Sequence, residues 1–218
     1  MYRPLCVCAF KDINRGDWGS KNIKHQRSLD DYISWFGNLT KVPIDLVLFC
    51  DEPVASEIKR RTGFKNIYSY QESDTFFRYL EYERYIMESS YYKNLVKNTA
   101  DWPEHAVPEY NLVNHCKVNF LRRAKSMFPD YTHYVWVDFG YKRDATPRVP
   151  QWGHILNDRI NYAVARKFTI DELPSPEDLI THPERGSELC QGALFAVPSR
   201  LVEWFETAYD NALKEYYK

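Results

Sequence analysis

The chain has no apolar run approaching the roughly 20 residues that a membrane span requires, so no spanning helix is expected. It has no excess of charge of either sign. Its 29 Lys and Arg stand against 30 Asp and Glu, a formal net charge of −1. That balance removes the electrostatic case for nucleic acid or for an anionic membrane surface as partner. The N-terminal stretch MYRPLCVCAFKD is too short in its apolar part for a signal peptide and meets an acid at Asp12. The five cysteines are Cys6, Cys8, Cys50, Cys116 and Cys190. An odd number, mostly inside apolar strand-like segments, implies reduced core thiols and a cytoplasmic location, with no disulfide framework. No second Cys/His pair at zinc spacing accompanies Cys6 and Cys8, and the six histidines form no pair at helical ligand spacing. Internal repeats and low-complexity linkers are absent.

Several signatures of chemistry are also missing. The chain contains no G-x-x-x-x-G-K-[ST] loop, no G-x-S-x-G elbow and no H-E-x-x-H pair. The triplet Asp138-Phe139-Gly140 has the letters of the protein-kinase metal motif, but no glycine-rich loop, V-A-I-K strand or H-R-D loop accompanies it. A kinase is therefore excluded.

What is present is a globular composition, 44% hydrophobic and 27% charged, in a length that one domain over 1–218 accommodates. Aromatic residues reach 16%, with 17 Tyr and 6 Trp. Such rings fill cores and also line sugar and nucleobase clefts.

The periodicity alternates strand and helix. LCVCAF (5–10) reads as a buried first strand, followed by a polar loop at 11–22. SLDDYISWFGNL (28–39) reads as a helix capped by Ser28, with Leu29, Ile33 and Phe36 on one face. IDLVLFC (44–50) is the second strand. A helix over 54–63 closes on Gly63, and NIYSY (66–70) is a third strand. Aromatic-rich 75–96 reads as a helix, 101–110 as a proline-broken connector and 112–128 as a strong helix. THYVWV (132–137) is a buried strand ending at Asp138. Strands at 160–168 and 188–198, the latter interrupted by Gly192, precede a Ser-capped amphipathic helix over 199–217. This order predicts an α/β fold: a mostly parallel, mixed sheet flanked by helices on both faces. The absence of a turn signal after the last helix leaves open that the chain is the N-terminal module of a longer protein.

Open α/β sheets bind ligands at the carboxyl ends of their strands, which selects the candidate residues. Asp138 stands at such an end, either as a simple turn residue or as a hard ligand that places a divalent cation under a diphosphate. Gly140 follows, where a bare backbone permits close approach to a phosphate or sugar. Asn114 and Lys117 lie on the preceding helix, and Lys117 is either a solvated lysine or a phosphate or sugar contact. The loop after the first strand carries Asp12, Asn14, Arg15 and Trp18, placed to hold a nucleoside. Glu188 and Gln191 precede Gly192. Glu188 is a surface acid or a base for an acceptor hydroxyl.

The segments VCAFKDINRGDW, RSLDDYISWFGNL, LVLFCDE, PEYNLVNHCKVNFLRRA, YTHYVWVDFGY and CQGALFAVP resemble, in that order and over nearly the whole chain, the HtrL/YibB family. That family of bacterial and large-virus proteins occurs in polysaccharide and lipopolysaccharide gene neighbourhoods. More distantly the layout resembles GT-A glycosyltransferases. The resemblance implies a GT-A-like single domain, with a nucleotide-binding half over about 1–140 and an acceptor-side half over about 141–218. It implies transfer of a sugar from a UDP-sugar, assisted by Mn²⁺ or Mg²⁺, onto an oligosaccharide or glycoprotein glycan. Asp138 matches the first acid of the D-x-D motif of those enzymes. Gly140 stands where the second acid is expected, a departure that bears on metal dependence. Gly192 resembles the glycine of the acceptor-side strand. The alternatives are a non-catalytic nucleotide- or glycan-binding module and a nucleotidyl- or phosphotransferase on the same sheet.

Overall fold

Three short apolar runs that have little to bury except themselves become neighbouring parallel strands. In the computed structural model, which describes residues 2–70, 74–146, 152–164 and 190–217, β1 (Pro4–Ala9) lies between β2 (Leu46–Cys50) and β4 (His133–Val137). β3 (Ile67–Ser69) flanks β2. β6 (Cys190–Pro198) runs antiparallel against β4, and β5 (Asn161–Val164) antiparallel against β6. The sheet order is β3-β2-β1-β4-β6-β5, so the mixed, mostly parallel sheet expected from the sequence is found. All five residues of β2 and all five of β4 are buried, as strands covered on both faces must be.

The cover comes from helices on the two faces. On one, α1 (Leu29–Leu39) and α2 (Glu52–Thr62) deliver Ile33, Phe36 and Ile58 onto Cys6, Cys8, Leu48 and Val135. Ser28 and Asp31 cap α1 reciprocally, the Ser28 hydroxyl accepting the Asp31 N–H and the Asp31 carboxylate accepting the Ser28 N–H. Gly63 ends α2 at φ 70°, the left-handed conformation that makes glycine the preferred residue there. The opposite face packs Leu112, Phe120, Leu121 and Leu213 against Leu5, Val7, Tyr134 and Val197.

Local details depart from the sequence reading. The aromatic segment splits into α3 (Asp74–Glu88) and α4 (Ser90–Leu95), because the Ser89 hydroxyl accepts the Tyr92 N–H and starts a new helix. The expected connector at 101–110 is helical. Pro103 and Pro108 open α5 (Pro103–Ala106) and α6 (Pro108–His115), since a first-turn N–H needs no intrahelical acceptor. The single helix expected over 112–128 is broken at Cys116, and α7 (Lys117–Met127) begins one residue later. The polar loop holds a 3₁₀ turn over Arg15–Lys21. Ser199 opens a 3₁₀ turn instead of capping a helix, and α8 (Val202–Tyr216) follows it. Of the strand expected at 160–168, residues 165–168 lie outside the described residues, as do 188 and 189 of the last strand. No helix among the described residues is long and apolar enough to cross a membrane.

Two features of the sheet prepare the site. The order reverses between β1 and β4, the switch point at which a crevice opens above the strand ends. β6 also loses its pairing with β5 where Ala163 aligns with Gln191 but Tyr162 aligns with Phe195. The intervening stretch at Gly192 turns toward β4, and Ala193 accepts the Asp138 N–H at 2.9 Å.

Candidate ligand-binding site

A cavity of about 480 Å³ lies at this switch point, within the range of small-molecule sites. Its floor is the end of β4, and its walls come from the loop after β1, from α1, from α6 and from the turn after β4. The basic side chains along it are Lys11, Arg15, Arg27, Lys117 and Arg143, and the acidic ones are Asp12, Asp17 and Asp138. Among the described residues that line it, five against three leaves two positive charges in excess, the sign that suits an anionic ligand.

At the centre of the floor, Oδ1 of Asp138 accepts the Trp136 indole N–H at 2.6 Å and lies 2.9 Å from the Lys117 ammonium. Lys117 also donates to the Gly192 carbonyl at 2.9 Å, and its Nζ stands 5.6 Å from the centre of the Trp136 ring. These contacts fix a lysine that is only 8% exposed. The break at Cys116 is what places Lys117 on the first turn of α7 at the strand end. Next to it, burial and then the Lys117 charge push the His115 imidazole down to about 4, so it is neutral near pH 7 and pairs with the Tyr209 hydroxyl at 2.8 Å.

The loop after β1 is set by Asn14, whose left-handed φ of 55° suits asparagine and whose N–H is accepted by the Asp12 carboxylate. It delivers Arg15 into an aromatic cage, the guanidinium carbon 4.7 Å from the Trp18 ring centre and 5.5 Å from that of Tyr110. Arg15 Nη1 donates to the Tyr32 hydroxyl at 2.7 Å and Nε to the His25 carbonyl at 2.9 Å. Burial lowers its pKa from the ordinary value, which leaves it charged. Across the cavity mouth, Arg27 and Arg143 lie 5.7 and 5.1 Å from the centre of the Trp35 ring.

Asp12, Asn14, Arg15, Asn114, Lys117, Asp138 and Gly140 therefore converge on one cavity, as the sequence suggested. Others do not. Trp18 is 2% exposed and packs edge-on to Tyr110, so it is core and cannot stack on a nucleobase. Gly192 serves through its carbonyl. Asn114, although at the cavity, gives one of its two side-chain N–H groups to the Tyr110 carbonyl within its own helix. Glu188 lies outside the described residues; Gln191 is described only through its backbone, paired with Ala163. Gly140 is glycine for a reason other than ligand approach. A Cβ there would lie 2.9 Å from Tyr32 Cε1 and 3.2 Å from Trp35 Cε3. The sequence reading missed Tyr32, Tyr110, Arg27 and Arg143, whose basic and aromatic character was visible but whose convergence is tertiary.

The divalent metal implied by the D-x-D resemblance needs several oxygen donors. Within the D-x-D position only Asp138 is a carboxylate, and its Oδ1 is already engaged by an ammonium and an indole N–H, while the Asp12 carboxylate elsewhere on the cavity accepts the Asn14 N–H. Among the described residues no group of three or more His, Cys, Asp or Glu is placed to hold a metal ion. The described residues do not fit the ion.

Residues 4–175 match the family model described as "Bacterial protein of unknown function (HtrL_YibB)". The chain is also similar to "Protein HtrL" of Escherichia coli (strain K12), with 30% identity over 142 residues. The matched part is 62% of this chain and 50% of that relative, so the match spans about half the relative's length. No solved structure matches the chain.

Proposed function

The chain belongs to the HtrL_YibB family, and from the chemistry of its cavity we propose that it is a glycosyltransferase using a nucleotide-diphosphate sugar, preferentially a UDP-sugar. The observation that carries this reading is the Lys117–Asp138 pair at the end of β4, set at the switch point of the sheet in a cavity with surplus positive charge. A nucleoside diphosphate is an anion with flat and hydroxylated parts. Lys117, Arg27 and Arg143 supply charge for the phosphates. Tyr110 and the exposed Tyr141 supply ring surface for the base or the sugar. The turn at Asp12 and Asn14 presents polar groups to a ribose.

In the reaction, the bond between the anomeric carbon and the diphosphate oxygen breaks as the acceptor hydroxyl oxygen bonds to that carbon. The hydroxyl proton leaves to a base or to water, and the nucleoside diphosphate departs with the bond's electron pair. The chain's cations would stabilise the charge growing on that leaving group, where it is larger than in the donor. The acceptor would be an oligosaccharide or glycoprotein glycan, met at the β6 side, and a cytoplasmic setting accords with the buried thiols of Cys6, Cys8 and Cys50.

Thermal-shift measurements with UDP-, GDP- and CMP-sugars, followed by assay of released UDP with glycan acceptors, test this. Stabilisation by one diphosphate sugar and acceptor-dependent UDP release support it; no response to any nucleotide sinks it. A binding module without turnover is the second reading, favoured by the neutralisation of Asp138 by Lys117. Donor binding with no UDP release under any acceptor would assign that reading instead.

A further inference from the structure

We infer that this site takes a diphosphate without a divalent cation, the Lys117 ammonium supplying the charge a metal would otherwise bring. The inference rests on the nucleotide-sugar reading and adds to the Lys117–Asp138 pair the packing around Gly140. Three observations carry it.

The first is steric. A second acid cannot be accommodated two residues after Asp138, because any Cβ at position 140 meets the Tyr32 ring at 2.9 Å and the Trp35 ring at 3.2 Å. Real Cβ atoms essentially never approach within 3.0 Å, and the 2.9 Å contact falls on a ring that is held in place. Tyr32 is buried and its hydroxyl is tied to Arg15. The glycine is thus a packing requirement, and the two-carboxylate arrangement is closed to this fold at that point.

The second is electrostatic. The Asp138 oxygen that faces the floor is already shared between the Trp136 indole N–H and the Lys117 ammonium. A divalent ion on that oxygen would stand within a few ångströms of the ammonium, where like charges repel strongly in a partly buried site. Lys117 cannot swing away at little cost. It is nearly buried and anchored a second time on the Gly192 carbonyl. An ammonium has three N–H donors. Asp138 and Gly192 take two, which leaves one for a phosphate oxygen at the cavity floor.

The third is what surrounds the pair. Arg27 and Arg143 are planar donors suited to paired phosphate oxygens, and both border the same cavity. In this arrangement Asp138 is a positioning residue for Lys117 rather than a metal ligand.

The test is calorimetric titration of the purified chain with inorganic pyrophosphate and with UDP, each in EDTA and then in excess Mn²⁺. Alongside it, the electron paramagnetic resonance signal of free Mn²⁺ is followed in the presence of UDP, with and without protein. The expected result is binding of both probes in EDTA, a Kd changed less than about threefold by Mn²⁺, and no extra Mn²⁺ captured by the protein. Lys117→Met should weaken binding in EDTA by about tenfold or more, with Lys117→Arg recovering part of it. UDP binding that requires Mn²⁺ overturns the inference while leaving the nucleotide reading intact. Pyrophosphate binding in EDTA without UDP binding keeps the inference and removes the nucleotide. Failure of both probes in EDTA overturns it, and the wild-type measurements decide the matter even where a Lys117 variant does not fold.

Discussion

The ammonium of Lys117 lies 2.9 Å from Oδ1 of Asp138, on an oxygen that also receives the Trp136 indole N–H at 2.6 Å. The two partners are unequally placed, with side chains 11% and 37% exposed. That inequality makes their removal asymmetric. Asp138→Ala strands a nearly buried ammonium on one carbonyl and should destabilise the fold by about 1–3 kcal/mol. Lys117→Met keeps the stem's volume and leaves a carboxylate that water can reach, with a loss of roughly 1 kcal/mol or less. Chemical denaturation of both variants checks the order; equal losses would mean that the unequal burial of the two groups does not govern the pair's contribution.

Gly140 should tolerate no side chain. Gly140→Ala puts a methyl group 2.9 Å from the Tyr32 ring, and overpacking of this kind costs about 1–3 kcal/mol. Gly140→Asp should cost at least as much and gain no Mn²⁺ binding. Gly153→Ala, where nothing lies within 4 Å of the added atom, is the control and should stay within about 0.5 kcal/mol of the parent. Thermal melts of the three variants suffice.

Features governed by near neighbours were legible in the sequence. The Ser28 helix cap, the Gly63 helix end and the apolar runs of β1, β2 and β4 each depend on a few adjacent residues, and each is found. That Asp12, Lys117 and Asp138 gather at the strand ends was legible too, because the alternation of strands and helices sets those ends side by side. What escaped was decided by residues distant in sequence. Trp18 has a composition equally fit for a base platform or a core, and Tyr110 and Arg15 settle it as core. The bare backbone at Gly140 was visible, but its cause, the rings of Tyr32 and Trp35, comes from the distant α1. The break at Cys116 was hidden because the apolar spacing of α7 continues smoothly from α6.

Arg15 holds the first wall of the cavity through geometry that only a guanidinium has. Arg15→Lys keeps the charge but loses the planar stack over Trp18 and Tyr110 and the bond to Tyr32, at about 1–2 kcal/mol. In a double-mutant cycle with Tyr32→Phe the losses should be less than additive, because both variants break one shared hydrogen bond. Strict additivity would show that the Tyr32 bond contributes nothing to the cage.

The core thiols should be inert in the native state. Burial raises Cys6 and Cys50 to about 12 and Cys8 well above its usual value, while alkylation requires the thiolate. Iodoacetamide at mildly alkaline pH, read by peptide mass spectrometry, should leave these three unmodified until denaturant is added. Rapid native labelling of any of them would contradict the packing of β1 and β2.

His115 should make the fold sensitive to mild acid. Its pKa falls from an ordinary 6.5 to about 4, first through burial and then through the Lys117 charge, so the folded state holds the ring neutral. Between those values the unfolded chain binds a proton that the native chain does not. Stability therefore rises with pH across this window, and its contribution is complete above about 6.5 and lost as pH falls toward 4. The linked change over the window is roughly 3 kcal/mol. Urea midpoints measured at pH 7 and pH 4.5 should drop steeply in the parent. In His115→Gln, which cannot take up the proton, the drop should be smaller, with the Tyr209 hydroxyl still offered a polar partner. A variant as acid-sensitive as the parent would place the titrating group elsewhere, with the half-buried His105, whose pKa burial also lowers, the next position to substitute.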